Sequence, residues 1–174
     1  VEASDRPATP LGLPPSHNLL CELLQSHPRR GGRRCGVSLS FLVTLGGLLV
    51  AELGPQEAWR LTTQDVSEWL LLPLVHEKQC SVATMLPDEA VGVPQHAVSH
   101  SYTSPFLNMV NVLIGHFSTE NMAETFLWVD FLSQNFLAPG AHSPAKQVSA
   151  VREAIRSTHS TLLILDSEGR ALSR

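Results

Sequence analysis

The chain has little of what marks a stapled or metal-built domain. Its 174 residues hold three cysteines, Cys21, Cys35 and Cys80, an odd number with no CxxC pair. Neither a disulfide framework nor a zinc knuckle therefore organises it. Charge is scarce: Asp, Glu, Lys and Arg make up 16%, against roughly 25% in an average domain. The net charge of −4 supplies no field that would recruit nucleic acid or an anionic membrane. There is no GxGxxG, GxxxxGK[ST] or GxSxG, so a dinucleotide fingerprint, a P-loop and an α/β-hydrolase elbow are not indicated. Setting His100 aside, the histidines show no HxxxH spacing among themselves, and no metal site is expected. Cys80 has no electropositive neighbour beyond Lys78, a poor setting for a nucleophile.

What is present varies along the chain. Val rather than Met at position 1 reads as a fragment or a processed chain. Residues 1–36 carry five prolines and the run Arg29-Arg30-Gly31-Gly32-Arg33-Arg34. Apart from a patch at Leu19, Leu20, Leu23 and Leu24, they hold too little apolar surface to offset ordering entropy. They read as a disordered or loosely structured tail with one short helix. The arginines read as a solvated loop, since no aromatic side chain is interleaved for base stacking. Residues 37–60 read as an apolar segment and linker. The apolar part, 37–51 (VSLSFLVTLGGLLVA), is short of the ~20 residues of a bilayer span. Gly46-Gly47 weakens it as a helix. A buried helix or strand is the reading, with a membrane anchor as the minor alternative.

Residues 61–174 read as an α/β unit. Thr62 and Thr63 before Asp65 and Glu68 mark a helix start. Val66, Trp69, Leu70 and Leu74 follow at helical spacing until Pro73 ends or kinks the helix. Residues 76–94 read as connecting segments. A weak strand at 95–101 precedes Ser104-Pro105, a cap with proline at the first helical position. Phe106, Met109, Val110, Leu113, Ile114 and Phe117 then share one helical face. TFLWVDFL (125–132) reads as a strand covered on both faces. Ser143-Pro144 opens a second helix with Val148, Val151, Ala154 and Ile155 on its apolar side, and TLLIL (161–165) is a third strand. The order strand, helix, strand, helix, strand predicts parallel strands with right-handed crossovers. The expected architecture is an open parallel sheet with helices on both faces.

Ligands of such sheets bind beyond the carboxyl ends of the strands. Ser99, His100 and Ser101 close the first strand, Asp130 and Asn135 lie at or past the end of the second, and Asp166 closes the third. These six are the candidate ligand-binding residues. Each has a plainer role open to it. His100 can satisfy a buried carbonyl. Asp130, read as a buried strand carboxylate, needs a hydrogen-bond partner whatever it does. Asn135 can cap a turn and Asp166 can begin one.

The segments LTTQDVSEWLLLPLV (61–75), VGVPQHAVSHSYTSPFLNMVNVLIGHF (91–117), TFLWVDFLSQNF (125–136) and STLLILDSEGRALSR (160–174) occur in this order. Together they resemble the TIR-like (Toll/interleukin-1 receptor homology) domains of the algal and protist type. Ser99-His100-Ser101-Tyr102 is similar to that family's VSHAW, with Tyr for Trp. Trp128, Asp130, Ser133 and Asn135 follow its WLDxFSxNQH block, and Leu172-Ser173-Arg174 matches the start of its LTRAWCLxE. The resemblance implies a flavodoxin-like sheet, incomplete at its C-terminus. It also implies function through homotypic assembly, by self-association or with other TIR-like domains. In enzymatic members NAD lies over the strand ends and a glutamate assists cleavage of the nicotinamide–ribose bond. The matching glutamate would fall beyond Arg174, and Phe136-Leu137 replace the family's Gln-His. The expectation is thus a signalling module with no catalytic residue and no cofactor in this chain. An NAD-cleaving hydrolase completed beyond residue 174, with NAD as substrate, and a degenerate fragment without its own function are the alternatives. With no clear leader and no disulfide framework, the cytoplasm is the expected compartment, and a membrane location is not.

Overall fold

Ser38 joins the first two described elements. Its Oγ accepts the amide of Phe41 at 3.2 Å, which turns strand β1 (Gly36–Ser38) directly into helix α1 (Leu39–Leu53). Gly54, at φ 77°, is the one described glycine whose backbone lies in the positive-φ region that favours glycine. It separates α1 from α2 (Pro55–Arg60). The computed structural model describes residues 35–136, 138 and 143–165. The tail expected at 1–36 lies outside these, apart from Cys35 and Gly36, as do Asp166 and Leu172-Ser173-Arg174.

At Thr62 a capping box forms. The Thr62 hydroxyl accepts the Asp65 amide at 3.1 Å, and an Asp65 carboxylate oxygen accepts the Thr62 amide at 2.9 Å. The helix does not end at Pro73. It starts as α3 (Thr63–Asp65), widens into a π-helical stretch (Val66–Leu71) and continues as α4 (Leu72–Lys78). The wide turn sits just ahead of the proline ring, where an ordinary α-turn would clash with the carbonyl four residues back. The added residue also slips the helical phase, so Val66 and Leu74 are buried while Trp69 is exposed.

Residues 76–94 are more than connections. They contain α5 (Val82–Met85), whose Val82, Ala83 and Met85 are buried, a 3₁₀ turn (Asp88–Ala90) and strand β2 (Val91–Gly92). All three span four residues or fewer, too few to repeat a pattern that the sequence would reveal. Strand β3 (His96–Ser99) leads to α6 (Phe106–His116), which starts one residue later than expected, with Pro105 at the cap position. All of the α6 face read from sequence is buried except Ile114, which is partly so. The run TFLWVDFL is not one strand: β4 (Phe126–Val129) stops at Val129, and Asp130 opens the single-turn α7 (Asp130–Ser133). The Ser133 hydroxyl accepts the Val129 amide at 3.1 Å and holds that corner. Helix α8 (Pro144–Ser157), with Ser143 at its cap, and strand β5 (Ser160–Leu163) complete the described chain.

The fold is α/β. Its five-stranded sheet has the order β2-β1-β4-β3-β5. The three strands read from sequence are parallel, with Val98 opposite both Val129 and Leu162. Their order β4-β3-β5 is the 2-1-3 start of a flavodoxin-like sheet. The sheet as a whole is mixed, because β1 runs antiparallel to both β2 and β4. Residues 37–60, set apart from 61–174 by their sequence, therefore share its sheet and its core. Gly46 sits where α1 meets α6: a Cβ there would lie 3.0 Å from a Leu107 methyl. Of the glycine pair that weakens the helix by propensity, Gly46 lets it pack closely, while Gly47 faces outward with nothing near it.

The two faces are covered unequally. Val37, Val98, Leu127 and Val129 point into the main core with α1 and α6. On the other face, among the described residues, α8 alone packs down, and its contribution is a small cluster of Ala154 with Ala97 and Trp128, flanked by Cys35.

Candidate functional site

Strand β3 lies between β4, to which the chain runs next, and β5, which the chain reaches from β4 by crossing to the other side, so its carboxyl end is a topological switch point. There the loop after β3 is clamped to the start of α3. The Thr63 amide donates to the Ser104 carbonyl at 3.0 Å, the Gln64 amide to Tyr102 at 2.9 Å, and the Phe106 amide to Leu61 at 2.9 Å. The His100 ring stacks on Tyr102, with centroids 5.3 Å apart, and meets the edge of Phe131 at 5.8 Å. His100, Ser101, Thr63, Asn108 and Ile164 enclose a chamber of about 10 Å³, roughly the size of one water. The Thr63 hydroxyl is buried there with no hydrogen-bond partner among the described residues, and the His100 Nε2 is buried in the same region.

The expected site residues thus take different positions. His100 and Ser101 share the chamber, and Ile164, two residues before Asp166, joins them from β5. Asp166 itself lies outside the described residues. Ser99 is exposed on the α8 face, and its carbonyl accepts the Ile164 amide at 2.8 Å. Asp130 is not the buried strand carboxylate expected from its apolar surroundings. It is partly exposed at the head of α7, with Oδ1 accepting the Phe131 amide at 2.8 Å. Asn135 turns away from the chamber and donates from Nδ2 to the Gln79 carbonyl at 3.1 Å. Gln79 is the left-handed residue (φ 54°) that ends α4. The sequence does not single out Thr63, Tyr102 and Phe131 as site residues, because they come from three separate segments that only tertiary packing gathers.

His96 and His100 stand four residues apart, a metal-binding spacing on a helix. On an extended strand it separates them by roughly 13 Å. Among the described residues no group of three or more His, Cys, Asp or Glu could hold a metal ion. No described helix is long and apolar enough to cross a membrane, and α1 is instead packed in the core.

A second cavity lies on the thin face of the sheet. It is an open cleft of about 800 Å³ between α8 and the β4 flank, floored by Trp128, Pro94 and Ala154, with Cys35, Glu153 and Lys146 at its sides. Burial pushes the Cys35 thiol above its ordinary range, and the Glu153 carboxylate adds to this. The signal for this face is the parity of β4, where Phe126 and Trp128 alternate with the core residues Leu127 and Val129.

At the opposite edge of the sheet, His96 Nδ1 and Ser160 Oγ share a hydrogen bond of 2.8 Å that ties β3 to β5. Desolvation holds the His96 ring below its usual value of 6.5, outweighing the attraction of Glu120; His159 and His116 lower it further. The unfolded chain therefore binds the proton more readily. The resulting stabilisation is complete above about pH 6.5 and is lost as the pH falls through the folded value. Urea midpoints at pH 7.5 and 5.5 are expected to differ more for the parent chain than for His96→Gln. An equal pH dependence in both would remove this role from His96.

No family model matches the chain, and comparison with curated proteins and with solved structures gives no match.

Proposed function

We propose that the chain is a TIR-like interaction module that works by homotypic assembly. The observation that carries this reading is an uncovered apolar margin. Among the described residues β5 is an edge strand, and Leu163 and Leu165 are nearly half exposed. Leu163, opposite Ser99, shares the α8 face of the sheet. On α8 itself, Val148, Val151 and Ile155 recur at helical spacing and are exposed too. An edge strand is its own complement: a two-fold axis normal to the sheet sets β5 against a second β5 and leaves both α8 helices on one face. The apolar stripes then cover one another. The module would work in the cytosol, where its free thiols Cys35 and Cys80 stay reduced.

Sedimentation velocity over a range of concentrations tests this. The chain is expected to self-associate, and Leu163→Lys combined with Val151→Glu to weaken association at least about tenfold without changing the circular dichroism spectrum. A parent chain that remains monomeric throughout defeats the proposal. Release of nicotinamide from NAD would favour the hydrolase instead.

A further inference from the structure

We infer that the cleft beside Trp128 is the seat of the chain's own leucine patch, Leu19, Leu20, Leu23 and Leu24. Three observations converge on this occupant. First, an α/β sheet needs cover on both faces. Among the described residues one face carries α1 and α6, while the other has only α8, beside a cleft of about 800 Å³ along the β4 flank. Second, the chain that precedes β1 emerges at this cleft, because Cys35, the first described residue, lines it. About ten residues separate Leu24 from Cys35, and that length spans up to roughly 35 Å. Leu19, Leu20, Leu23 and Leu24 have the i, i+1, i+4, i+5 spacing that puts four apolar side chains on one side of a short helix. Third, the charges agree. Arg33 and Arg34 directly precede Cys35, and the Glu153 carboxylate acts on the Cys35 thiol from across the cleft.

Seating the patch covers Cys35, so the rate of thiol alkylation reports it. The probe is a small maleimide applied to the full chain carrying Cys21→Ser, with Cys80 as internal reference. Cys35 is expected to react at least about tenfold faster when Leu20→Asp and Leu23→Asp are introduced, with the Cys80 rate unchanged. The protection should not vary with protein concentration, which separates it from cover supplied by self-association. Equal Cys35 rates in the parent and the aspartate variant overturn the inference, as does protection that appears only at high concentration. A variant in which Cys80 also accelerates has lost its fold. Leu20→Ser with Leu23→Ser then replaces it, with the same two outcomes deciding.

Discussion

Phe106→Ala is expected to cost about 3–5 kcal/mol, the range for removing a fully buried phenylalanine. Phe106 has no exposed surface and joins three parts of the fold. Its amide donates to the Leu61 carbonyl at 2.9 Å. Its ring meets Phe131 of α7 edge-on at 6.4 Å, and its backbone opens α6 behind Pro105, which bridges to Thr62. The cavity would lie beneath the ring cluster of His100, Tyr102 and Phe131. Disorder in that cluster should therefore accompany the loss of stability. Urea unfolding should show a lower midpoint with an unchanged slope. A loss of less than about 1 kcal/mol would mean that the strand-end loops collapse into the space.

Gly92→Ala should also be damaging, for the opposite reason. A Cβ on Gly92 would stand 2.5–2.6 Å from three carbons of the Phe126 ring, its root atom included. The whole ring must move, and overpacking of this kind typically costs about 1–3 kcal/mol. The strain is also transmitted along β1, which lies between the two strands and pairs Gly36 with Gly92 and Ser38 with Phe126. The decisive measurement is a double-mutant cycle. With Phe126→Ala in place the added methyl meets no ring, so the two losses should fall short of their sum by about 1 kcal/mol or more. Strict additivity would show that the clash is relieved elsewhere.

The elements legible from sequence are those in which one physical signal dominates. Helix α6 is one, since five of its six facing residues are buried. The cores of β3, β4 and β5 are others, being short apolar runs between turn signals. Legibility failed where two signals overlapped or where an element was too brief to carry a period. In TFLWVDFL, strand and helical turn are equally apolar, and only the Ser133–Val129 hydrogen bond shows where one becomes the other. The segment after Cys35 is obscured by Gly46 and Gly47, whose low helix propensity is overridden by the packing of α1 in the core, with Gly46 close against Leu107. Strand β2 has two residues. At the candidate site, the sequence placed His100 and Ser101 at the carboxyl end of β3, and both line the chamber there. It did not show that Thr63, from a helix more than thirty residues earlier, completes the chamber. Nor did it show that Asn135 is committed to Gln79.

The antiparallel strand also sets the order of events during synthesis. Val37 leaves the ribosome first, yet its inner neighbour is Leu127, about ninety residues later. At roughly 5–20 residues per second, translation keeps β1 waiting for about 5–18 s. The apolar helix fused to it waits as well, so the nascent polypeptide carries its greasiest stretch uncovered for longest. Closing so large a loop is slow in its own right, which makes the interval before β4 emerges the period when chaperone engagement matters most for this chain.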